Sequence, residues 1–206
     1  MRIVKVRQIV GIAVILLGSG CLQGCKDSAQ TLNDRMKRHN HLYINDLFQL
    51  RKQTLAQVEH DYGIEGDTDS KSLWHYLGKY TSDEGYIYDS WSFRTTKADD
   101  DPNGCLSMMS CFDLNGNTMI RYVTDDIAYV PTVIATLDST KLFKHEVQRS
   151  DKDGASSNSY TYEGGNIAVL IYCPNTITTK HPSVVGVTSI ADYKKIMDGQ
   201  IHFGSH

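Results

Sequence analysis

The spacing of apolar residues changes along the chain, and with it the expected structure. From Ile44, apolar positions recur every three to five residues through Leu47, Leu50, Leu55, Val58 and Tyr62, the period of a helix that buries one stripe. Inside this stretch Thr54 and Gln57 form a T-x-x-Q capping box. The hydroxyl accepts from an orphan amide of the first turn, and the glutamine reaches back to the cap. Gly63 supplies a left-handed stop at the far end, so a helix over about 55–62 is the best-marked element. After the polar loop IEGDTDSKS, residues Leu73, Trp74, Tyr76 and Leu77 read as another helical turn.

Further on the period drops to two. Tyr86–Phe93 is aromatic and alternating, the signature of a strand. A polar loop, KADDDPNG, separates it from Leu106–Leu114, where Leu106, Met108, Phe112 and Leu114 share one face. Asn115-Gly116 then leads into Thr118–Val123, and Asn-Gly between two such runs is a strong hairpin signal because both turn residues need positive φ. Thr132–Leu137 and Leu142–Val147 read as strands, and Ser150–Asn158 as a loop. Tyr160–Tyr162 and Ile167–Tyr172 form a second hairpin across Glu-Gly-Gly-Asn. Ser189 with Ala191–Met197 predicts a short helix that ends at Gly199. No fixed-period repeat and no domain linker is visible. The expected fold is α+β: N-terminal helices packed on an antiparallel β-sheet of hairpins, with a short C-terminal helix, in one domain spanning 44–206.

The first residues add a different kind of information. MRIVKVRQ carries Arg2, Lys5 and Arg7 and no acid, and an apolar run from Ile9 to Leu17 follows, broken by Gly11. A basic start, a short apolar core and small residues after it make a secretory signal peptide. The run is about half the ~20 residues that a spanning helix needs. Leu22-Gln23-Gly24-Cys25 resembles the lipobox of bacterial lipoproteins, in which a thiol takes a diacylglyceryl group after a small residue. Cys21 is the poorer match, since Gly18 stands three residues before it. The expectation is therefore a signal peptide over 1–24, a lipid on Cys25, and a tether with a short helix over 25–43 that carries Leu32 and Met36. One acyl chain holds a protein only marginally and several hold it stably; the lipoprotein resemblance implies three. Lys26, rather than Asp, follows the cysteine, which by resemblance to Gram-negative sorting points to the outer membrane, facing the periplasm.

Cleavage before Cys25 removes three cations and no acid, taking the net charge from −3 to −6. A nucleic-acid partner, which wants a basic face, does not fit. Roughly 180 residues remain, enough for one domain. Cys105, Cys111 and Cys173 then sit in an oxidising compartment, and an odd count leaves one thiol free. Along one straight strand Cys105 and Cys111 would lie about 20 Å apart, whereas a bridge tolerates only ~7 Å between Cα atoms. Cys173, on another predicted strand, is the expected partner of one of them.

Catalytic signatures are sparse. No H-E-x-x-H, G-x-S-x-G or P-loop pattern occurs, and His145-Glu146 lacks a second histidine four residues on. Cys111 or Cys173 with His145 or His181 would be a nucleophile–base pair, but a bridge or a buried inert thiol is the stronger reading in an exported protein. His39 and His41 have no third ligand nearby, which favours a solvated tether over a metal site. Asp99, Asp100 and Asp101, and Asp151 with Asp153, each match part of a calcium loop without its downstream glutamate. No catalytic residue, metal or cofactor is expected. Trp74, Trp91 and the tyrosines are candidates for a recognition face, with the core as the commoner fate.

Thr54, Gln57, Val58 and Gly63, then Trp91-Ser-Phe93, then Phe112-Asp-Leu-Asn-Gly116 resemble the motifs of the SmpA/OmlA family of outer-membrane lipoproteins over about residues 44–123. Lys52 and Gln53 depart from that family's Gly-Met. The family's members are accessory lipoproteins of β-barrel assembly, and β-lactamase inhibitory proteins share their fold. The resemblance implies a non-enzymatic binding or scaffold module, membrane-tethered by its lipid, whose partner is another envelope protein. An inhibitor or exclusion factor acting on an extracytoplasmic enzyme or receptor is the alternative, and a cell-wall hydrolase the third reading.

Overall fold

The structure, a computed structural model, describes residues 42–62, 74–94, 106–149, 154–177 and 181–201. Two short helices come first, α1 (Ile44–Leu50) and α2 (Leu55–Tyr62). The backbone amide of Tyr43 donates to Asp46 Oδ2 at 2.9 Å where α1 begins. The predicted capping box starts α2: the Gln57 amide donates to Thr54 Oγ1 at 3.3 Å, and the Thr54 amide to Gln57 Oε1 at 2.8 Å. Thr54 is solvent-exposed, so Thr54→Ala removes little besides the cap. A loss of about 1 kcal/mol in a urea melt is expected.

Eight strands and two more helices follow. They are β1 (Trp74–Thr81), β2 (Ile87–Arg94), β3 (Leu106–Asp113), β4 (Thr118–Thr124), α3 (Tyr129–Thr140), β5 (Lys144–Arg149), β6 (Ser156–Tyr162), β7 (Ile167–Cys173), β8 (Ser183–Thr188) and α4 (Ile190–Met197). All eight strands belong to one sheet of order β1-β2-β3-β4-β8-β7-β6-β5, and every pairing is antiparallel. The chain thus lays down two four-strand meanders and joins them side by side where β4 pairs with β8. A helical segment precedes each meander, a repeat of elements that the sequence does not display.

This architecture corrects the expected one. The eight-stranded sheet is the body of the fold: 43% of the described residues are in strands against 30% in helices. The helices are short and scattered along the chain, instead of N-terminal helices packed on an antiparallel sheet. Two misread segments account for much of the difference. Leu73–Leu77 is not a helical turn, because β1 begins at Trp74. An irregularity in pairing between Tyr76 and Gly78, with Gly78 at φ 138°, interrupts the alternation there, as a bulge does. Thr132–Leu137 is not a strand but the middle of α3, which buries Tyr129, Val130, Val133 and Leu137 on one stripe. Pro131 falls in the first turn, where no amide partner is lost. Thr132 and Thr136 donate to the carbonyls of Ala128 and Thr132, both at 2.8 Å, so their hydroxyls are accommodated within the helix.

β8 was not anticipated at all. All six of its residues are buried, so its Val-Val-Gly-Val run shows no alternation, and short unalternating runs are ambiguous in sequence. The hairpin turns match the reading. Asn115 and Gly116 have φ of 58° and 93°, and the Gly116 amide donates to Asp113 Oδ1 at 2.7 Å. The turn over Glu163–Gly165 closes with Asn166 at φ 48°. Ser189 caps α4, accepting from the Asp192 amide at 3.0 Å.

The strands' alternation divides the apolar residues into two groups. Trp91, Met109, Cys111, Ile120, Tyr122, Tyr160, Val169, Ile171, Val185 and Val187 share one core with Leu47, Leu50, Val58, Tyr62, Tyr129, Val133 and Leu137 of the helices. On the opposite face Phe112, Leu114 and Met119 cluster with Ile201, flanked by Tyr86, Tyr88 and Ile196. The face predicted for β3, with Met108, Phe112 and Leu114, is therefore the one turned away from the larger core.

Candidate functional site

Cys21, Cys25, Cys105, His39, His41, Gly63, Asp99, Asp100, Asp101, Asp151 and Asp153 lie outside the described residues. Cys111 and Cys173 are both unbridged. Cys111 lies on β3 and Cys173 at the end of β7, with β4 and β8 between. Strand spacing and rise put their Cα atoms roughly 20 Å apart, beyond any bridge. Of the two pairings expected for Cys173, the one with Cys111 is thus ruled out by the sheet itself. Burial pushes the Cys111 thiol far up, so it stays protonated and unreactive. The same arithmetic places His145 roughly 16 Å from Cys173. His145 instead stacks on Tyr160 with ring centroids 4.0 Å apart, and its Nε2 is 3.0 Å from Asn158 Oδ1. His181 is exposed. The Cys173–His145 pair is therefore not assembled. Among the described residues no group of three side chains is placed to hold a metal ion, and no helix is long and apolar enough to cross a membrane.

Two other constellations do form. The first lies where α2 meets β1 and β2. Lys79 sits opposite Asp89 in the ladder and makes an ion pair with Glu59 Oε1 at 2.5 Å. The Tyr76 hydroxyl donates to Asp89 Oδ1 at 2.5 Å. Burial raises Asp89 above the ordinary carboxylate range, while the bond from Lys79 lowers Glu59. A raised acid beside a lowered one is the arrangement of acid–base catalysts, but Asp89 is 0% exposed and out of a substrate's reach. The cluster ties α2 to the β1–β2 ribbon.

The second occupies the sheet face opposite the larger core. Tyr80, Tyr88 and Phe112 follow one another across β1, β2 and β3 as a stack, with centroids 5.4 and 4.4 Å apart. Tyr80 ends the stack 44% exposed, and Leu77 and Ile87 on the same ribbon are similarly open. On β4, Arg121 lies opposite Ser110 of β3 and Gly186 of β8, so all three belong to one row on this face. Ser110 shares a hydrogen bond with Ser90 of β2, Oγ to Oγ at 2.8 Å. Arg121 is half-buried, and its Nε touches neither solvent nor an acceptor. Burial lowers its pKa, opposed by the Tyr88 phenol; no acid of the described residues pairs with it. Sequence reading passed over Arg121. The available signal was a cation inside the apolar strand Thr-Met-Ile-Arg-Tyr-Val.

Two hollows in the described surface are small. One of about 120 Å³ lies between α1 and α3, beside Tyr43 and Thr132. A groove of about 190 Å³ lies between α4 and the β6–β7 pair, floored by Leu170 and Tyr172. Pockets for drug-sized ligands run to ~300–1,000 Å³.

No protein-family model, curated protein or solved structure matches this chain.

Proposed function

We propose that this chain is a lipid-anchored protein of the bacterial envelope that works without catalysis, by binding another envelope protein. The observation that carries this reading is the Tyr80–Tyr88–Phe112 stack, which ends in solvent and runs beside a cation that meets no acid among the described residues. Tyrosine and arginine are enriched at protein interfaces, and tyrosine offers much contact area with few rotors to freeze. A stacked tyrosine has already given up part of that freedom. The signal-peptide pattern and LQGC motif support the anchor, and Lys26 after the cysteine supports the outer-membrane location. The resemblance to the SmpA/OmlA lipoproteins supports envelope assembly as the setting.

Site-specific photocrosslinking in cells tests the proposal. A photoreactive residue at Tyr80 is expected to give one discrete adduct with an envelope protein, whereas the same residue at exposed His60 on α2 gives none. Equal patterns at the two positions, or no adduct at Tyr80, would overturn it.

A further inference from the structure

We infer that Arg121 is a receptor for a carboxylate presented by the partner. The inference rests on the binding reading above and specifies its chemistry. Three observations combine. Arg121 is set in the interior of the sheet, two strands from β2 and flanked by β3 and β8, so its Cα cannot shift without disturbing three strands. Its Nε has left water and found no acceptor among the described residues, and a buried donor left unpaired is destabilising. Such a cost persists in a protein when a ligand relieves it or the fold requires it. No ion pair, helix end or carbonyl contact of the described residues requires this one. Lastly, one of the two flanking positions carries a hydroxyl: Ser110 stands beside Arg121 on the same face, buried and linked to Ser90, while Gly186 stands on the other side. A guanidinium next to hydroxyls is a cradle for an anion.

The cradle favours a carboxylate over a phosphate. It holds one guanidinium, which matches a single negative charge in a planar, two-pronged pairing. The lysines of the described ion pairs are occupied elsewhere: Lys79 by Glu59, Lys144 by Glu146, Lys195 by Asp192. A phosphate dianion would find one of its charges unmatched. The stack of Tyr88 and Phe112 beside the site supplies apolar contact next to the charge. The ligand is therefore an acidic side chain, or a C-terminal carboxylate, flanked by apolar or aromatic residues.

The test uses the full chain with its Arg Nε–Hε signals followed by NMR while acetate is added. The Arg121 signal should move saturably. Arg51 serves as the internal control: its Nε is likewise buried without an acceptor, but its guanidinium is held by the Asn166 carbonyl, to which Nη2 donates at 2.7 Å; its signal should stay. Sodium chloride at equal ionic strength should move neither. Two labelled peptides then separate the sources of carboxylate: one with a single Asp between aromatics and an amidated end, the other without acids and with a free end. The source is the one that binds, and Arg121→Gln should weaken it at least tenfold, with Arg121→Lys, which keeps the charge but not the fork, in between. Equal shifts at Arg121 and Arg51, equal shifts with chloride, tighter binding of inorganic phosphate than acetate, or peptides that bind Arg121→Gln unchanged each overturn the inference. If the acetate shift is absent while Tyr80 still crosslinks to one protein, the carboxylate receptor falls and the binding function stands.

Discussion

A Val58→Asp protein should fail to fold cooperatively. Val58 is 0% exposed, on the face of α2 one turn before Tyr62, whose ring lies 5.9 Å from that of Trp91. Met109 and Cys111 of β3 belong to the same apolar cluster. The described residues of that cluster offer a carboxylate no cation. Even if it takes up a proton, an unpaired polar group in such surroundings costs roughly 2–7 kcal/mol, on top of the lost valine contacts. Domains of this size are stable by about 5–15 kcal/mol in all, so most or all of the stability goes. Acidic neighbours make the site less welcoming still: Asp46 and Asp61 already help raise the Tyr62 hydroxyl far above its usual range. A urea melt of the lipid-free protein, read by far-UV circular dichroism, decides it. The variant should lack a cooperative transition, in contrast to the ~1 kcal/mol of the Thr54→Ala cap. A wild-type melt for Val58→Asp would show that α2 does not bury this side chain.

The second large effect is expected at Cys25. If the LQGC motif is read by the lipoprotein machinery, Cys25→Ala leaves no thiol to acylate and no site for the specialised cleavage. Membrane affinity grows with each buried methylene by about 0.8 kcal/mol, and several chains together make release negligible. Losing them all should move the protein from the membrane fraction to the soluble one, or leave it as an uncleaved precursor, and abolish labelling by a fatty-acid probe. Cys21 is intact in this variant. Labelling that survives Cys25→Ala and disappears only in Cys21→Ala would move the anchor four residues upstream.

Parts of the fold were legible because local chemistry decides them. The T-x-x-Q box at 54–57, the Asn115-Gly116 turn and the Ser189 cap each depend on residues within three positions of one another. The strands around these turns were legible too, since one of their faces alternates with the other. What sequence could not supply is pairing at a distance. β8 is buried on both faces and pairs with β4 and β7, so nothing in its own six residues announces a strand at the middle of a sheet. α3 was misread because Thr132, Val133, Ile134 and Thr136 are β-formers by propensity, and the spacing of Tyr129, Val133 and Leu137 overrides them. The same limit hid the face proposed to bind. Arg121 is distinctive only once Ser110 and Gly186 stand on either side of it, and those neighbours come from two other strands.

The joining of the meanders at β4 and β8 governs the order in which the molecule can be completed. β4 ends at Thr124 and β8 begins at Ser183, so about sixty residues must emerge before the open edge of β4 finds its neighbour. On the export route proposed above, the chain arrives on the far side of a membrane from its N-terminus onward, and during that interval the first meander presents a bare ladder carrying Ile120 and Tyr122. Such an edge can recruit any strand that passes, including β4 of a second molecule. Closure across so long a stretch is slow compared with hairpin formation. The half-emerged chain is thus the species most prone to wrong association, and a nascent fragment that stops near residue 124 should self-associate where the whole chain does not.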